Sequence, residues 1–239
     1  MTPPVAGAVF DLDGTLTAPG AIDFARIRER IGMRERGSIL HWIEANVSDS
    51  AAVQEMHAVI HEEEDRGLER MALGDGFDAL ARAILARGPH LRTAICTRNS
   101  GTALEAFDAL LRRSGYPPSA ELFHVQLARD HHSEFLGRSI ANKPSHEPAH
   151  EIVRLWGWTE RFAPHVAHEH DDAVHEKLLF LGDDIDDCLA ARRAGLRSGL
   201  VLHGATRGPD DPIHRAGDAT YEDLDGVAAA LGAVEARRE

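Results

Sequence analysis

The sequence predicts a doubly wound α/β protein: a parallel sheet covered by helices on both faces, with an all-helical block inserted after the first strand. From residue 75 onward, short apolar runs alternate with apolar residues at helical spacing, the pattern of strands joined by helical crossovers. Residues 18–74 break that alternation and place their apolar residues at helical spacing only. Polar, mostly acidic clusters directly follow several apolar runs, at the strand ends where parallel sheets hold ligands.

Val5 to Phe10 is a buried strand that stops at Asp11, and Asp13-Gly14-Thr15 is a turn. The inserted block begins with a helix from about Ala21 to Met33. A second carries Ile39, Trp42, Ile43 and Val47, and a third carries Val53, Met56, Ile60, Leu68 and Met71. The acidic run Glu62-Glu63-Glu64-Asp65 reads as a solvated outer face of the third. Gly74 and Gly76 end the block. Phe77, Leu80, Ala81, Ile84 and Leu85 then form a helical stripe closed by Gly88-Pro89. Leu91 to Cys96 is a strand, Thr102 to Arg113 a helix and Leu122 to Leu127 a short strand. Further on come a helix over Ala149 to Leu155, a strand over Leu178 to Leu181, and a helix over Cys188 to Ala194 stopped at Gly195. Leu200 to Leu202 is the last strand and Glu222 to Leu231 a closing helix. Segment 129–150 is polar, a loop or a functional segment. The expected division is a core of residues 1–17 and 75–239 and a helical domain of residues 18–74.

At 239 residues, 43% apolar and 27% charged, the chain has the proportions of an ordinary globular protein with a sizeable core. No apolar run approaches the roughly 20 residues of a membrane helix. The start lacks the features of a secretion signal, and Cys96 and Cys188 offer no disulfide framework. The expected setting is cytoplasmic, with no membrane partner. A formal charge of -13 argues against nucleic acid, whose binding draws on clustered Lys and Arg. Capture of an anion would need a metal and local cations to reverse the field.

Four features carry chemistry. Asp11-Leu12-Asp13-Gly14-Thr15 places one carboxylate at a strand end, where it can attack phosphorus, and a second two residues on, where it can move protons. Gly14 permits the sharp turn between them. Read alone, the segment is more often an ordinary acidic turn with glycine. Thr97-Arg98-Asn99-Ser100 offers hydroxyl and N–H groups at a strand-to-helix turn, a seat for phosphate, though Thr and Ser are also good helix caps. Lys143, before Pro144, supplies an ammonium for phosphate charge. Gly182-Asp183-Asp184-Ile185-Asp186-Asp187 runs an apolar strand into four carboxylates, whose mutual repulsion a divalent cation relieves. An acidic helix N-terminus accounts for Asp186 and Asp187 but not for all four.

Together these features resemble the haloacid dehalogenase superfamily of phosphohydrolases in order, spacing and strand-end placement. Asp11 to Leu16 looks like its first motif, Thr97 its second, Lys143 its third and Gly182 to Asp187 its fourth. The resemblance implies a Rossmann-like core, Mg²⁺ as cofactor and a small phosphorylated metabolite as substrate. It implies Asp11 as nucleophile, Asp13 as general acid/base, and Thr97 and Lys143 in catalysis. Substrate would be held by Thr97, Arg98, Asn99 and Lys143. Metal would be held by Asp11, the Asp13 carbonyl, Asp183 and Asp187. The insertion is similar to the helical cap of the phosphoglycolate phosphatase and β-phosphoglucomutase branch. Lys143-Pro144-Ser145-His146-Glu147-Pro148 departs from the usual Lys-Pro-x-Pro. Asp184 stands where many relatives have Ser, as a helix cap or a ligand.

Other readings compete. A dehalogenase would use Asp11 but has no work for Asp13, since no leaving group needs a proton. A phosphomutase differs only in where the aspartyl-phosphate goes, and a catalytically dead binding protein would share the fold. His146-Glu147-Pro148-Ala149-His150 matches H-E-x-x-H of zinc peptidases, but Pro148 in its middle opposes an interior helix there. His131, His132, His165, His168 and His170 are either exposed loop residues or a transition-metal cluster. Trp42, Trp156 and Trp158 read as packing residues. Of Arg26, Arg28, Arg30 and Arg34, a spacing of two allows only some to face a substrate.

Overall fold

The computed structural model describes residues 5–35, 37–158, 177–204 and 212–232. Strand β1 (Gly7–Phe10) is buried at every position because it lies at the centre of a six-stranded sheet. On one side come β2 (Arg92–Cys96) and then β3 (Val125–Leu127). Residues His132–Ser133 and Arg138–Ser139 form a separate antiparallel hairpin, β4 and β5. On the other side of β1 come β6 (Leu178–Gly182), β7 (Arg197–Val201) and β8 (Ala219–Tyr221). All pairings in the large sheet are parallel. The chain builds outward from β1 in one direction and then in the other. The crevice where that order reverses opens beyond the ends of β1, β2 and β6.

Period-two alternation sends side chains to two cores. Ala8, Phe10, Ile95, Leu179 and Leu181 meet the apolar stripes of α4 (Phe77–Arg87), α5 (Gly101–Arg113) and the C-terminal helix Leu224–Gly232. Val9, Ala94, Cys96, Leu178 and Phe180 face Ala149, Ile152 and Val153, and also Ala191 and Ala194. These last two groups lie on or beside helices Glu147–Leu155 and Ile185–Arg193. With the short helix Ser119–Leu122 as α6, these are α7 and α8, and the C-terminal helix is α9. The predicted strand over 122–127 thus begins only at Val125, because residues 119–122 turn helically.

The inserted residues form α1 (Phe24–Ile31), α2 (Ile39–Asn46) and α3 (Ser50–Arg70). Asp23 caps α1 by accepting from the Arg26 N–H at 2.9 Å, and Gly32 closes it in the left-handed region at φ 75. Asp49 caps α3. Helices of eight residues do not hold alone. Here Ile27, Ile31, Ile39, Ile43 and Ile60 bury one another in a cluster of their own, with Trp42 packed against it. Each such burial contributes about 1.5–3 kcal/mol. The two crossings to the sheet lie side by side: Ala18 N–H donates to Ala72 O and Gly74 N–H to Leu16 O.

One expectation is overturned here. Glu62 and Asp65 are exposed, but Glu63 is 1% and Glu64 8% exposed. Four consecutive helical residues cover more than a full turn, so they cannot share one face. Glu63 turns inward to Arg26, Arg30 and Arg66. Glu64 turns to Arg129.

Candidate active site

Asp11 leaves β1 still held to the sheet, its N–H donating to Leu181 O at 2.8 Å. The chain then winds through a tight turn over Leu12–Leu16. Gly14 sits in it at φ +82, and a Cβ there would lie 2.6 Å from Asp183 Oδ2. Glycine is required both for the backbone conformation and for the approach of the β6 loop. Gly182 is under the steric constraint alone, since a Cβ would meet Asp187 Oδ2 at 2.1 Å.

Asp13 is held from β2. Its Oδ2 accepts from Asn99 Nδ2 at 3.1 Å and from Thr97 Oγ1 at 3.4 Å. Thr97 is fixed in turn, its N–H donating to Leu127 O and its hydroxyl accepting from the Asn99 N–H. Lys143 comes from the segment before α7 and is buried. Its Nζ donates to Asp11 Oδ1 at 2.5 Å and to Asp187 Oδ1 at 2.6 Å. The polar segment 129–150 thus carries a hairpin and one of the site's cations.

The four consecutive-looking acids after β6 separate by role. Asp184 is the N-cap of α8, accepting from the Asp186 N–H, while Asp187 accepts from the Asp184 N–H to complete a capping box. Asp186 pairs with Arg98 at 2.5 Å, so Arg98 bridges the β2 and β6 loops. Asp183 and Asp187 gather with Asp11, each offering an oxygen within 4.8 Å of the others. The Asp13 carboxylate stays outside that trio, engaged by Asn99 and Thr97.

Electrostatics follow from this crowding. Burial raises the pKa of Asp11, opposed by Lys143. Burial likewise raises Asp13, with Asn99 opposing and Glu64 adding. Asp183 is raised well above the usual range, first by burial and then by Asp11, Asp187 and Asp184. Burial pushes Asp187 up to about 6. Lys143 is raised despite burial, because Asp11 and Asp187 together outweigh it. Three clustered carboxylates against one ammonium form an all-oxygen donor set short of positive charge, which a hard divalent cation fits. Burial pushes the Cys96 and Cys188 thiols up to about 12, leaving both inert.

Above the acids lies a cavity of about 270 Å³. Asp11, Asp13, Thr97, Arg98, Asn99, Asp183 and Asp184 line it from the sheet side, and Ile22, Phe24, Ile27, Arg28, Ile39 and Ile60 from the insertion. Glu64 and Arg129 also line it, and sequence reasoning missed them. A signal for Glu64 exists: Ile60, Glu63, Glu64 and Gly67 are the buried residues of α3, at positions i, i+3, i+4 and i+7.

The competing metal motif resolves differently. α7 begins at Glu147, so His146 is its N-cap, yet the His146 and His150 rings still approach to 4.9 Å. Among the described residues no third ligand joins them; the one metal-competent group is the acid trio. His165, His168 and His170 lie outside the described residues. No helix of the described residues is long and apolar enough to cross a membrane. Trp156 is buried in the second core, and Trp158 packs against it.

A family model described as HAD-hydrolase-like matches residues 142–227, which include Lys143 and Asp183 to Asp187. A haloacid dehalogenase-like hydrolase domain-containing protein of Arabidopsis thaliana is 26% identical over 86% of this chain and 74% of its own length. The phosphoglycolate phosphatase of Xanthomonas campestris is 27% identical over 80% of this chain and 94% of its own. A hydrolase from Pseudomonas syringae shares the fold, with a TM-score of 0.65 at 19% identity, covering 96% of this chain and 99% of that one. The chain is thus similar to haloacid dehalogenase-like hydrolases, a phosphoglycolate phosphatase among them, and shares their fold.

Proposed function

We propose that the chain hydrolyses a small phosphate monoester in a magnesium-dependent reaction, with Asp11 as nucleophile and Asp13 as general acid and base. The observation that carries this reading is the convergence of Asp11, Asp183, Asp187 and Lys143 on one strand-end crevice, with Asp13 held beside them by Asn99 and Thr97. An Asp11 carboxylate oxygen attacks phosphorus; the ester P–O bond breaks, and Asp13 gives its proton to the departing oxygen. Asp13, now ionised, takes a proton from water as that water attacks the aspartyl-phosphate. The bond to Asp11 breaks, leaving inorganic phosphate and free Asp11. Lys143 holds Asp11 in place and offsets phosphoryl charge, and Thr97 supplies a hydroxyl donor at the same oxygens. Asp11, Asp183 and Asp187, with the Asp13 carbonyl, would hold Mg²⁺. When bound, the ion offsets negative charge on the phosphoryl group.

Residues 18–74 serve in this reading as a cap, with its own core and a paired crossing to the sheet, closing over the substrate to exclude bulk water. The Xanthomonas campestris relative is a phosphoglycolate phosphatase, and a cavity of about 270 Å³ suits a substrate of that size class. Phosphate release from an aryl phosphate with Mg²⁺ present tests the proposal. It should vanish in Asp11→Asn and on chelation with EDTA, and turnover retained in either refutes the mechanism.

A further inference from the structure

The sequence places Asn99 at the substrate, yet each of its four polar atoms has a partner within the protein. Its N–H donates to Thr97 Oγ1 at 2.9 Å, and its carbonyl accepts from the Arg129 N–H at 2.9 Å. The Ser100 N–H donates to Asn99 Oδ1 at 2.8 Å, which fixes the amide oxygen on that side. Nδ2 is therefore left facing Asp13 Oδ2, at 3.1 Å. A flipped amide would set oxygen against carboxylate and N–H against N–H. Asn99 is buried, so water offers little competition for this orientation.

Arg129 lies outside the four motif segments, in the loop after β3. Two backbone bonds join this loop to the one after β2: Thr97 N–H donates to Leu127 O, and Arg129 N–H to Asn99 O, each at 2.9 Å. Thr97 and Asn99 are the two donors to Asp13 Oδ2. Both residues that grip the carboxylate are thus held from the β3 loop. That loop is held in turn from the insertion. The Arg129 guanidinium closes on both oxygens of Glu64, at 2.8 and 3.1 Å, with His61 Nδ1 beside Oε2 at 3.3 Å. A bidentate fork sets direction as well as distance, and both side chains of the pair are largely buried. Their charges answer each other at the cavity wall, so the pair braces that wall rather than presenting a charge to a ligand.

We propose that Arg129, locked by Glu64, is a positioning residue for proton transfer: it holds Asn99, and Asn99 aims the Asp13 carboxyl at the leaving oxygen. This deepens the phosphatase reading above and rests on it. Both donors act on Oδ2, so Oδ1 carries the proton that passes to the departing oxygen and later the one taken from water. Neither Arg129 nor Glu64 touches the reacting atoms. They act through geometry, and a displacement of about 1 Å at a reacting group can cost on the order of 100-fold in rate.

The test uses the full chain with Mg²⁺ and three esters of nearly one shape: phenyl, chlorophenyl and nitrophenyl phosphate. kcat/KM reports the steps through cleavage of the ester bond. Nitrophenolate leaves readily as the anion, whereas phenolate needs the proton from Asp13. The nitrophenyl-to-phenyl ratio of kcat/KM should therefore rise about tenfold or more in Arg129→Gln, with chlorophenyl between. It should rise less in Arg129→Lys, which keeps the charge but not the fork. Lost folding would lower all three esters together and leave the ratio unchanged. Glu64→Leu combined with Arg129→Met strands no charge, so it separates the lost tie from simple instability, and the enlarged ratio should persist there. A ratio unchanged in Arg129→Gln, or back at the wild-type value in the double variant, overturns this inference while the phosphatase reading stands. No phosphate release from any of the esters by the wild type overturns both.

Discussion

The Arg129 guanidinium donates to both carboxylate oxygens of Glu64, at 2.8 and 3.1 Å, and so ties helix α3 of the insertion to the loop after β3. The Arg129 N–H also donates to Asn99 O, which links this tie to the residue that holds Asp13. Both side chains are largely buried, so neither charge is left to water.

Removing one partner strands the other charge. Arg129→Met should lower unfolding free energy by about 3 kcal/mol in urea titration, because Glu64 stays buried without its counter-ion. The double variant with Glu64→Leu should regain more than half of that. A single variant as stable as the wild type would show that the pair contributes nothing.

Lys143 sits between two carboxylates that lose their nearest cation if it goes. Lys143→Met should reduce kcat by about 100-fold or more, the usual consequence of removing a preorganised donor to a reacting oxygen. Steady-state kinetics on an aryl phosphate checks this, and a loss under tenfold contradicts the assigned role.

Gly14→Ala combines a strained φ with a collision on Asp183. Displacing that carboxylate should weaken Mg²⁺ or Mn²⁺ binding about tenfold in calorimetric titration, with about 1–3 kcal/mol of stability lost to strain. Unchanged metal affinity would remove Asp183 from the ligand set.

Glu147 opens α7, and Arg138 together with the Ala141 N–H holds its pKa below the usual glutamate range. A lowered folded-state pKa means stability that is full above the unfolded value, about 4.3, and is lost as pH falls through the folded one. Glu147→Gln should therefore melt lower than wild type at pH 7, and the gap should close as pH falls below about 4. An equal gap at pH 7 and pH 3 contradicts this.

Much of the site is legible along the chain because its signals are local. Asp11 and Asp13 lie two residues apart after an apolar run, and Asp183 to Asp187 follow another. What stays hidden is pairing across distance. Nothing in the sequence near Lys143 announces that it holds Asp11, 132 residues away. Arg98, expected at the substrate, lines the cavity and also pairs with Asp186, 88 residues away. The acidic run around Glu64 reads as a solvated face, although its i+4 relation to Ile60 marks the buried stripe.

The sequence by itself determined the alternating α/β core, the inserted helices and which residue types stand at the strand ends, since backbone periodicity and turn chemistry act over a few residues. Only the tertiary structure decided which charges meet. It brought Asp11, Asp183 and Asp187 within 4.8 Å and answered Arg98 and Arg129 with carboxylates. Coulomb energies depend on separation and burial in space, and neither is a property of position along the chain.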